Sequence, residues 1–185
     1  MSRTIFETRC HSRMHMEVPV EIIDGPTIIA KPRRHCIGIR LVTPFRGMFA
    51  VRDLLMEEMH SWADDRAIVY GHTFFRLHVV DMDGPMDIEV GVITDEAVQG
   101  NGRIRSGVLP AGQYATLTYI NHGRRANGAL RNWVQEQGLT PDRTASHEGE
   151  RFGCRYEAYL TDPRSERMKT RWRTELAIRL ADEPP

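Results

Sequence analysis

The sequence predicts an α+β domain in which one antiparallel sheet carries two helices on one face. Three observations lead to this fold class. Short β-branched and aromatic runs are separated by turn signals, and two segments have the three-and-four apolar spacing of amphipathic helices. The order strand, helix, strand, strand also occurs twice along the 185 residues. Such an order buries one face of a sheet under its helices.

The domain organisation follows from where these patterns begin and end. Residues 1–17 are polar and lack periodicity, so we expect a loosely ordered lead-in. Residues 18–182 are expected to form a single domain made of two repeats, at about 18–93 and 113–180. The flexible Gly100-Asn101-Gly102 segment is predicted to be a linker between them.

The first repeat contains a helix and several strands. Two apolar runs flank the turn signal Asp24-Gly25-Pro26 and predict either a hairpin or one bent strand. Apolar residues at helical spacing, among them Leu54, Leu55 and Met59, predict a helix over about residues 47–64. The dense turn cluster at residues 81–85 predicts an antiparallel hairpin. The predicted strands are residues 18–23 with 27–30, 35–42, 74–80 and 87–93.

The second repeat shows the same order of elements. A second amphipathic helix is predicted around residues 126–134, where Gly138 stands at a suitable C-terminal cap. Gly47 and Leu54 of the first repeat align with Gly123 and Leu130 of the second at one offset. We expect a pseudo-twofold arrangement whose copies meet along the sheet face without helices, since repeat interfaces commonly form ligand clefts. The predicted strands are residues 114–120, 152–160 and 174–180.

Composition excludes several classes of function. Hydrophobic residues make up 41% of the chain and charged residues 27%, and 25 Lys plus Arg balance 25 Asp plus Glu. The resulting formal charge of +0 provides no whole-protein cationic field for nucleic acid or anionic membranes. Three scattered cysteines do not make a disulfide framework, and no apolar run is long enough for a membrane helix. We expect a cytoplasmic protein with no direct nucleic-acid or membrane partner.

Several short motifs resemble the GyrI-like family when they are taken in order. A Pro-Ala-Gly turn precedes a strand, a Gly precedes the second helix, a Trp lies within it, and a Tyr-Glu-x-Tyr-Leu-x-Asp-Pro strand follows. The resemblance covers roughly residues 18–180. The residues that carry it are 87–92, 109–115, Gly123, Trp133, 156–163 and 174–178.

This resemblance implies a two-repeat α+β domain that binds small hydrophobic or cationic molecules in a cleft between the repeats. GyrI-like domains occur as effector-binding parts of AraC-type and MerR-type regulators, as drug-binding or gyrase-inhibiting proteins, and as hydrolases of cyclopropane-bearing toxins. No helix-turn-helix pattern is present before residue 18 or after residue 180. A DNA-reading role would therefore require a separate chain.

The strand at residues 153–160 supplies the central candidate of the site. Arg155, Glu157 and Tyr159 share one strand face, while Tyr156 and Ala158 share the other. We expect the second set to face the helix-covered core, which would direct Glu157 and Tyr159 into the open cleft. A carboxylate between aromatic rings suits an amphipathic cation.

Four further residues are predicted to line the ligand site, namely Phe75, His78, Tyr119 and Trp133. Trp133 and Tyr119 have a structural alternative: an aromatic residue on an apolar helix face is more often core than ligand wall, and Tyr119 could pack in the sheet. A strand Glu, taken alone, is likewise more often exposed to solvent. For Glu157, its position in the family motif and the flanking tyrosines favour a place in the ligand pocket over simple exposure to solvent.

No metal or cofactor is predicted. His11 and His15 are four residues apart, but no third ligand stands at a supporting spacing. His35-Cys36 lies inside a β-branched run, which favours a buried structural thiol over a nucleophile.

Three functions remain open from the sequence. The first is reversible binding of a small hydrophobic or cationic molecule, for effector sensing or sequestration. The second is a hydrolase that opens strained rings, with Glu157 as acid or base and Tyr159 beside it. The third is inhibition of DNA gyrase, or partnership with a separate regulator or topoisomerase.

Overall fold

A computed structural model describes residues 21–182, which form an α+β fold with a ten-stranded sheet and two α-helices. The predicted fold class is confirmed. A short 3₁₀ turn at Lys169–Arg171 precedes the last strand. The strands are β1 (Glu21–Lys31), β2 (Arg34–Pro44), β3 (Thr73–Val80), β4 (Pro85–Thr94), β5 (Ile104–Leu109), β6 (Gly112–Ile120), β7 (Arg143–Ser146), β8 (Gly149–Phe152), β9 (Arg155–Tyr159) and β10 (Arg173–Arg179), and the helices are α1 (Met48–Asp64) and α2 (Gly123–Glu136).

The strand order is symmetric about the centre of the sheet. It runs β1-β6-β10-β9-β3-β4-β2-β5, so β9 of the second half pairs directly with β3 of the first. The β7–β8 hairpin attaches through β8 to β3. The first half thus contributes β3 and the second half β9 to the central pair, which brings residues distant in sequence together there.

Both helices cover the same face of the sheet, because their apolar residues recur at helical spacing. In α1 the buried stripe includes Leu55, Met59 and Trp62, which pack on β2, β3 and β4. In α2 the stripe is Ala126, Leu130 and Val134, which pack on β6 and β10. Leu54 was expected in the α1 stripe but is 66% exposed.

The opposite face of the sheet has its own core without helices. Phe74, Tyr114, Tyr156 and Ala158 are buried there together. The expectation that the Tyr156 set faces the helix-covered core is therefore wrong. Glu157 alternates with Tyr156 and Ala158 along β9, so it lies on the helix face.

Several element boundaries differ from the prediction. The first two apolar runs form one strand, β1, whose register shifts between Ile22 and Thr27, so the bent-strand alternative is correct. The predicted strand 152–160 is interrupted at Gly153, whose amide donates to Asp142 O at 2.9 Å. Strand β5 and the β7–β8 hairpin were not predicted, since their short and polar sequences carry a weak strand pattern.

Some predictions fall outside the described residues. The lead-in at residues 1–17 and the His11 and His15 pair lie there, and so do residues 18–20 of the first predicted strand. Within residues 21–182, no helix has both the length and the apolar character needed to cross a membrane. The superposition of the two halves as equivalent repeats stays a prediction.

Candidate functional site

A cavity of about 670 Å³ lies over the β9–β3 pair, between α1 and α2. Its volume is within the range typical of small-molecule sites. The strand register explains its floor, because Phe75 stands opposite Glu157 and Thr73 stands opposite Tyr159. The apolar and aromatic lining includes Phe45, Met48, Phe49, Phe75, Leu77, Val80, Met82, Met86, Tyr119, Tyr159 and Trp172.

This position corrects the expected location of the cleft. The sequence led us to expect the two halves to meet along the sheet face without helices. The cavity lies on the helix-covered face, because α1 and α2 pack over different strands and leave the sheet between them uncovered. The cavity still lies where the two halves meet, since β9 and β3 belong to different halves.

Glu157 provides the carboxylate of the cavity. Its Oε1 accepts a hydrogen bond from Asn127 Nδ2 at 3.2 Å. Burial raises the pKa of the Glu157 carboxyl above its ordinary value, although the Arg52 charge and hydrogen bonds from Asn127 and Tyr119 act in the opposite direction. Glu157 is therefore a group that can be protonated more easily than an exposed glutamate.

Asn127 connects Glu157 with a buried arginine on the same strand. Its side-chain oxygen accepts from Arg155 Nη2 at 2.7 Å, and its Nδ2 also donates to Gly123 O at 3.0 Å. Burial lowers the pKa of Arg155 to about 10. Only 8% of Arg155 is exposed, and its Nε has no hydrogen-bond partner in the part of the chain that the structure describes.

Arg52 of α1 lies against the aromatic wall. Its guanidinium carbon is 5.0 Å from the ring centre of Phe49, 5.9 Å from that of Phe75 and 5.8 Å from that of Tyr159. Its Nη1 donates to Tyr159 Oη at 3.3 Å, and its Nη2 pairs with Asp53 Oδ1 at 2.8 Å. These rings therefore already hold a cation that belongs to the protein itself.

Tyr119 completes the polar end of the cavity beside the start of α2. A Cβ at Gly123 would lie 2.7 Å from Tyr119 Oη, so the glycine permits this close approach. Burial, followed by the neighbouring Glu157 charge, raises the pKa of Tyr119 above its ordinary value. Burial also raises the pKa of Tyr159. Both phenols consequently remain protonated and can donate hydrogen bonds.

The structure brings together four of the six predicted site residues. Glu157, Tyr159, Tyr119 and Phe75 all line the cavity. His78 does not, because it is three residues from Phe75 in β3 and strand alternation places it on the opposite face, where its Nε2 lies 2.7 Å from Glu89 Oε2.

Trp133 is also outside the cavity. It packs, partly buried, against the α2 core cluster that includes Leu130 and Val134. Its helix position turns it away from the gap between the helices. His78 and Trp133 were expected to line the ligand site, but neither does.

Two central polar residues were missed by the sequence prediction. Arg52 is three and seven residues before the buried Leu55 and Met59, and Asn127 has the same spacing to Leu130 and Val134. A polar residue at an apolar stripe position is a usable sequence signal.

Residues 21–182 contain no cluster of three or more His, Cys, Asp or Glu side chains that could hold a metal ion. The buried thiols Cys36 and Cys154 lie in the core of the opposite face. Burial raises the pKa of Cys36 to about 12, which disfavours the reactive thiolate.

Comparison with known proteins gives a family match over most of the chain. The profile of the GyrI-like small molecule binding domain matches residues 25–181. A search of curated proteins found no significant match.

Solved structures with the same fold include EcmrR in its complex with DNA, at 16% identity and a TM-score of 0.66, covering 84% of this chain. The chain spans 57% of that EcmrR chain. The EcmrR C-terminal domain matches at 15% identity and a TM-score of 0.63, with coverage of 89% of this chain and 99% of the domain. SAV2435 bound to tetraphenylphosphonium matches at 10% identity and a TM-score of 0.54, with coverage of 84% and 93%.

Proposed function

We propose that this chain, which belongs to the GyrI-like small molecule binding domain family, reversibly holds one small hydrophobic molecule in the cavity between α1 and α2. The role that this binding serves is effector sensing or sequestration. The EcmrR C-terminal domain and ligand-bound SAV2435 share the fold, which supports a binding role without identifying a ligand.

The observation that carries this proposal is the aromatic cavity itself. It lies over the β9–β3 pair, where strands of the two halves meet at the centre of the sheet, and rings from α1, β3, β6 and β9 surround it. Phe49 is 53% exposed although it borders the cavity, so a ligand would bury apolar surface that water now contacts. Burial of apolar surface contributes roughly 25 cal/mol per Å² before the entropy cost of binding is subtracted.

Gly128 allows a direct test, because it lines the cavity from α2 and a Cβ there would meet nothing within 4 Å. We expect pyrenebutanol, a neutral fluorescent probe, to bind the wild-type protein. Gly128→Phe should fill the cavity and reduce affinity by at least about tenfold, while the fold is retained. Gly128→Ala is the matched control and should bind normally. Equal affinity in wild type and Gly128→Phe would contradict the location of the site.

A second candidate function is hydrolysis of strained electrophilic rings. The specific observation that favours it is the raised pKa of Glu157 next to the protonated hydroxyl of Tyr119. General acid–base help of this kind contributes about 10²- to 10⁴-fold to a rate. Incubation with cyclopropane-bearing alkylators and mass analysis would test it. Multiple turnovers of water addition that are lost in Glu157→Gln would make catalysis the function, whereas unchanged compounds would leave reversible binding.

A further inference from the structure

The charged side chains that line the cavity are mainly cationic. Glu157 is the only acidic side chain that lines it among the described residues. Asp53 lies just behind the lining and pairs with both Arg52 and Lys169. Even when Asp53 is counted, the cationic side chains exceed the acidic ones by three. The cationic lining consists of Arg52, Arg124, Arg131, Arg155 and Lys169.

The two helices add to this positive potential. The first turn of α1 contributes Met48 and Phe49 to the lining, and the first turn of α2 contributes Gly123 and Arg124. Neither first turn contains an acidic residue, and no side chain caps either helix, since the N-cap of α1 is Gly47 and the His122 side chain at the N-cap of α2 forms no capping hydrogen bond. A helix N-terminus carries a partial positive charge of roughly half an elementary charge. Both helices therefore direct their positive ends toward one cavity.

Arg155 supplies an independent indication of a missing partner. It lines the cavity, is more than nine-tenths buried, and keeps one hydrogen bond to Asn127 and a buried Nε without a partner among residues 21–182. Burial lowers the pKa of Arg155, the nearby Glu157 charge favours its protonated state, and the exposed Arg131 opposes that state. An unpartnered buried donor is costly, and an anionic acceptor would remove that cost.

Three rings of the aromatic wall are already in contact with a cation that belongs to the protein. The guanidinium of Arg52 already lies 5.0 to 5.9 Å from the ring centres of Phe49, Phe75 and Tyr159. A ligand cation would have to displace Arg52 or share the rings with it, and either arrangement opposes like charges.

We propose that the ligand of this cavity is an amphipathic organic anion, with a hydrophobic ring body and one carboxylate that is bound at the α2 end by Arg124, Arg131 and Arg155. This inference rests on the proposed function, since it names the chemical class of the molecule in the same cavity. It departs from the cationic ligand that the Glu157 carboxylate alone would favour.

The test uses three probes that share one body and differ in charge: pyrenebutanoate, pyrenebutanol and pyrenebutyltrimethylammonium. Fluorescence titration of the wild-type protein at low salt should give the order anion, neutral, cation, with the anion bound at least about tenfold more tightly than the alcohol. Raising the ionic strength should reduce this preference, because exposed Arg124 and Arg131 are screened.

Variants locate the charge effect. Arg124→Gln and Arg131→Gln should each weaken pyrenebutanoate about fivefold and leave pyrenebutanol unchanged. Arg105→Gln is the matched control, because Arg105 is exposed and outside the cavity lining. Glu157→Gln should strengthen pyrenebutanoate, since it removes the one carboxylate that repels the anion.

The outcomes separate the two proposals. If pyrenebutanol binds and the anion binds no more tightly, or if the ammonium probe binds best, the anion inference is overturned and the binding function stands. Loss of the anion preference in Arg105→Gln alone would also overturn the assignment to the α2 end. If none of the three probes binds the wild-type protein, both the proposed function and the anion inference fail.

Discussion

The helices α1 and α2 occupy corresponding places in the two halves, yet they are anchored very differently. Their first residues, Met48 and Gly123, are 75 positions apart, and so are the buried Leu55 and Leu130, which displaces by one residue the alignment of Leu54 with Leu130 expected from the sequence. The α1 helix buries seven residues, including Met59 and a tryptophan, whereas α2 buries three, of which Leu130 is the largest. Burial of apolar side chains is the main force that holds a helix on a sheet. We therefore expect α1 to pack on the sheet more stably than α2.

The same correspondence extends to the cavity side of each helix. Arg52 and Asn127 are also 75 positions apart, and both face the site. Arg52 stacks on aromatic rings, while Asn127 bridges Arg155 and Glu157. The two helices therefore contribute differently to the cavity, with an apolar wall on α1 and a polar wall on α2.

The largest expected effect concerns the two equivalent leucines. Leu55→Ala and Leu130→Ala should each cost about 2–5 kcal/mol of stability, because each leaves a cavity in a packed core. Leu55→Ala should lower the free energy of global unfolding. Leu130→Ala should instead release α2 alone, since few other buried residues hold it.

Hydrogen exchange measures this difference. In Leu130→Ala the amides of α2 should exchange faster while those of β3 and β4 keep their protection. Leu54→Ala is the control, because this leucine is 66% exposed and its loss should cost less than about 0.5 kcal/mol. Uniform loss of protection in both core variants would break the distinction between the walls.

The next effect tests the polar wall. Asn127→Ala removes the acceptor of Arg155 and a donor to Glu157, and it should cost about 1–3 kcal/mol because buried charged groups are left without partners. Denaturant unfolding measures the loss. Asn132→Ala, at an exposed position on the same helix, should be close to neutral. An Asn127→Ala variant with the same free energy of unfolding as wild type would show that the Asn127 bridge does not stabilise α2.

A smaller effect is the pH dependence introduced by Glu157. Burial raises its folded-state pKa above the ordinary value of 4.5, so the folded protein holds this proton more tightly than the unfolded chain. This stability is fully present below about pH 4.5 and is lost as pH rises through the folded pKa. Glu157→Gln lacks this titrating group, so its free energy of unfolding should not fall over that pH range. Relative to wild type, the variant should therefore become more stable as pH rises, by at most about 1.4 kcal/mol per pH unit.

Glu58 provides a control of opposite sign. A hydrogen bond from Arg103 lowers the pKa of Glu58, so its stabilising effect is present at neutral pH and is lost as pH falls. The pair is exposed, so the effect is small. Unfolding curves of Glu58→Gln and Glu157→Gln should therefore diverge from wild type in opposite pH directions. Parallel curves for Glu157→Gln and wild type would contradict a raised pKa.

The smallest effect is a gain of stability in α2. Gly128 lies inside the helix with open space around its Cα, so Gly128→Ala should stabilise the protein by about 0.5–1 kcal/mol. Thermal unfolding measures it. A loss of stability in Gly128→Ala would show that a methyl group at this position disturbs the packing of α2.

Much of the fold could be predicted because its signals are local. The stripe of Leu55, Met59 and Trp62 identified α1, and the turn cluster before Asp87 identified the β3–β4 hairpin. Leu130 likewise identified α2. Strand β5 was missed because pairing with the distant β2, rather than its own pattern, makes it a strand. The β7–β8 hairpin was missed because both strands are short and polar, and β8 also pairs with the distant β3.

The site could be predicted only in part. Strand alternation correctly placed Glu157 and Tyr159 on one face, but it cannot say which face the helices cover. That choice depends on tertiary packing, and it explains why the cleft was expected on the wrong side of the sheet. His78 was misplaced because the prediction put it in one site with Phe75, although strand alternation places residues three apart on opposite faces.

A crystal structure of the protein with pyrenebutanol tests the central claim most directly, which is that the ligand site lies on the helix face over the β9–β3 pair. We expect the pyrene body between α1 and α2, in contact with Phe75 and Tyr159 and near Glu157. A second hollow, lined by Tyr114 and Tyr156, lies on the opposite face. Pyrenebutanol bound in that second hollow, with the space between the helices unoccupied, would contradict a ligand site on the helix face.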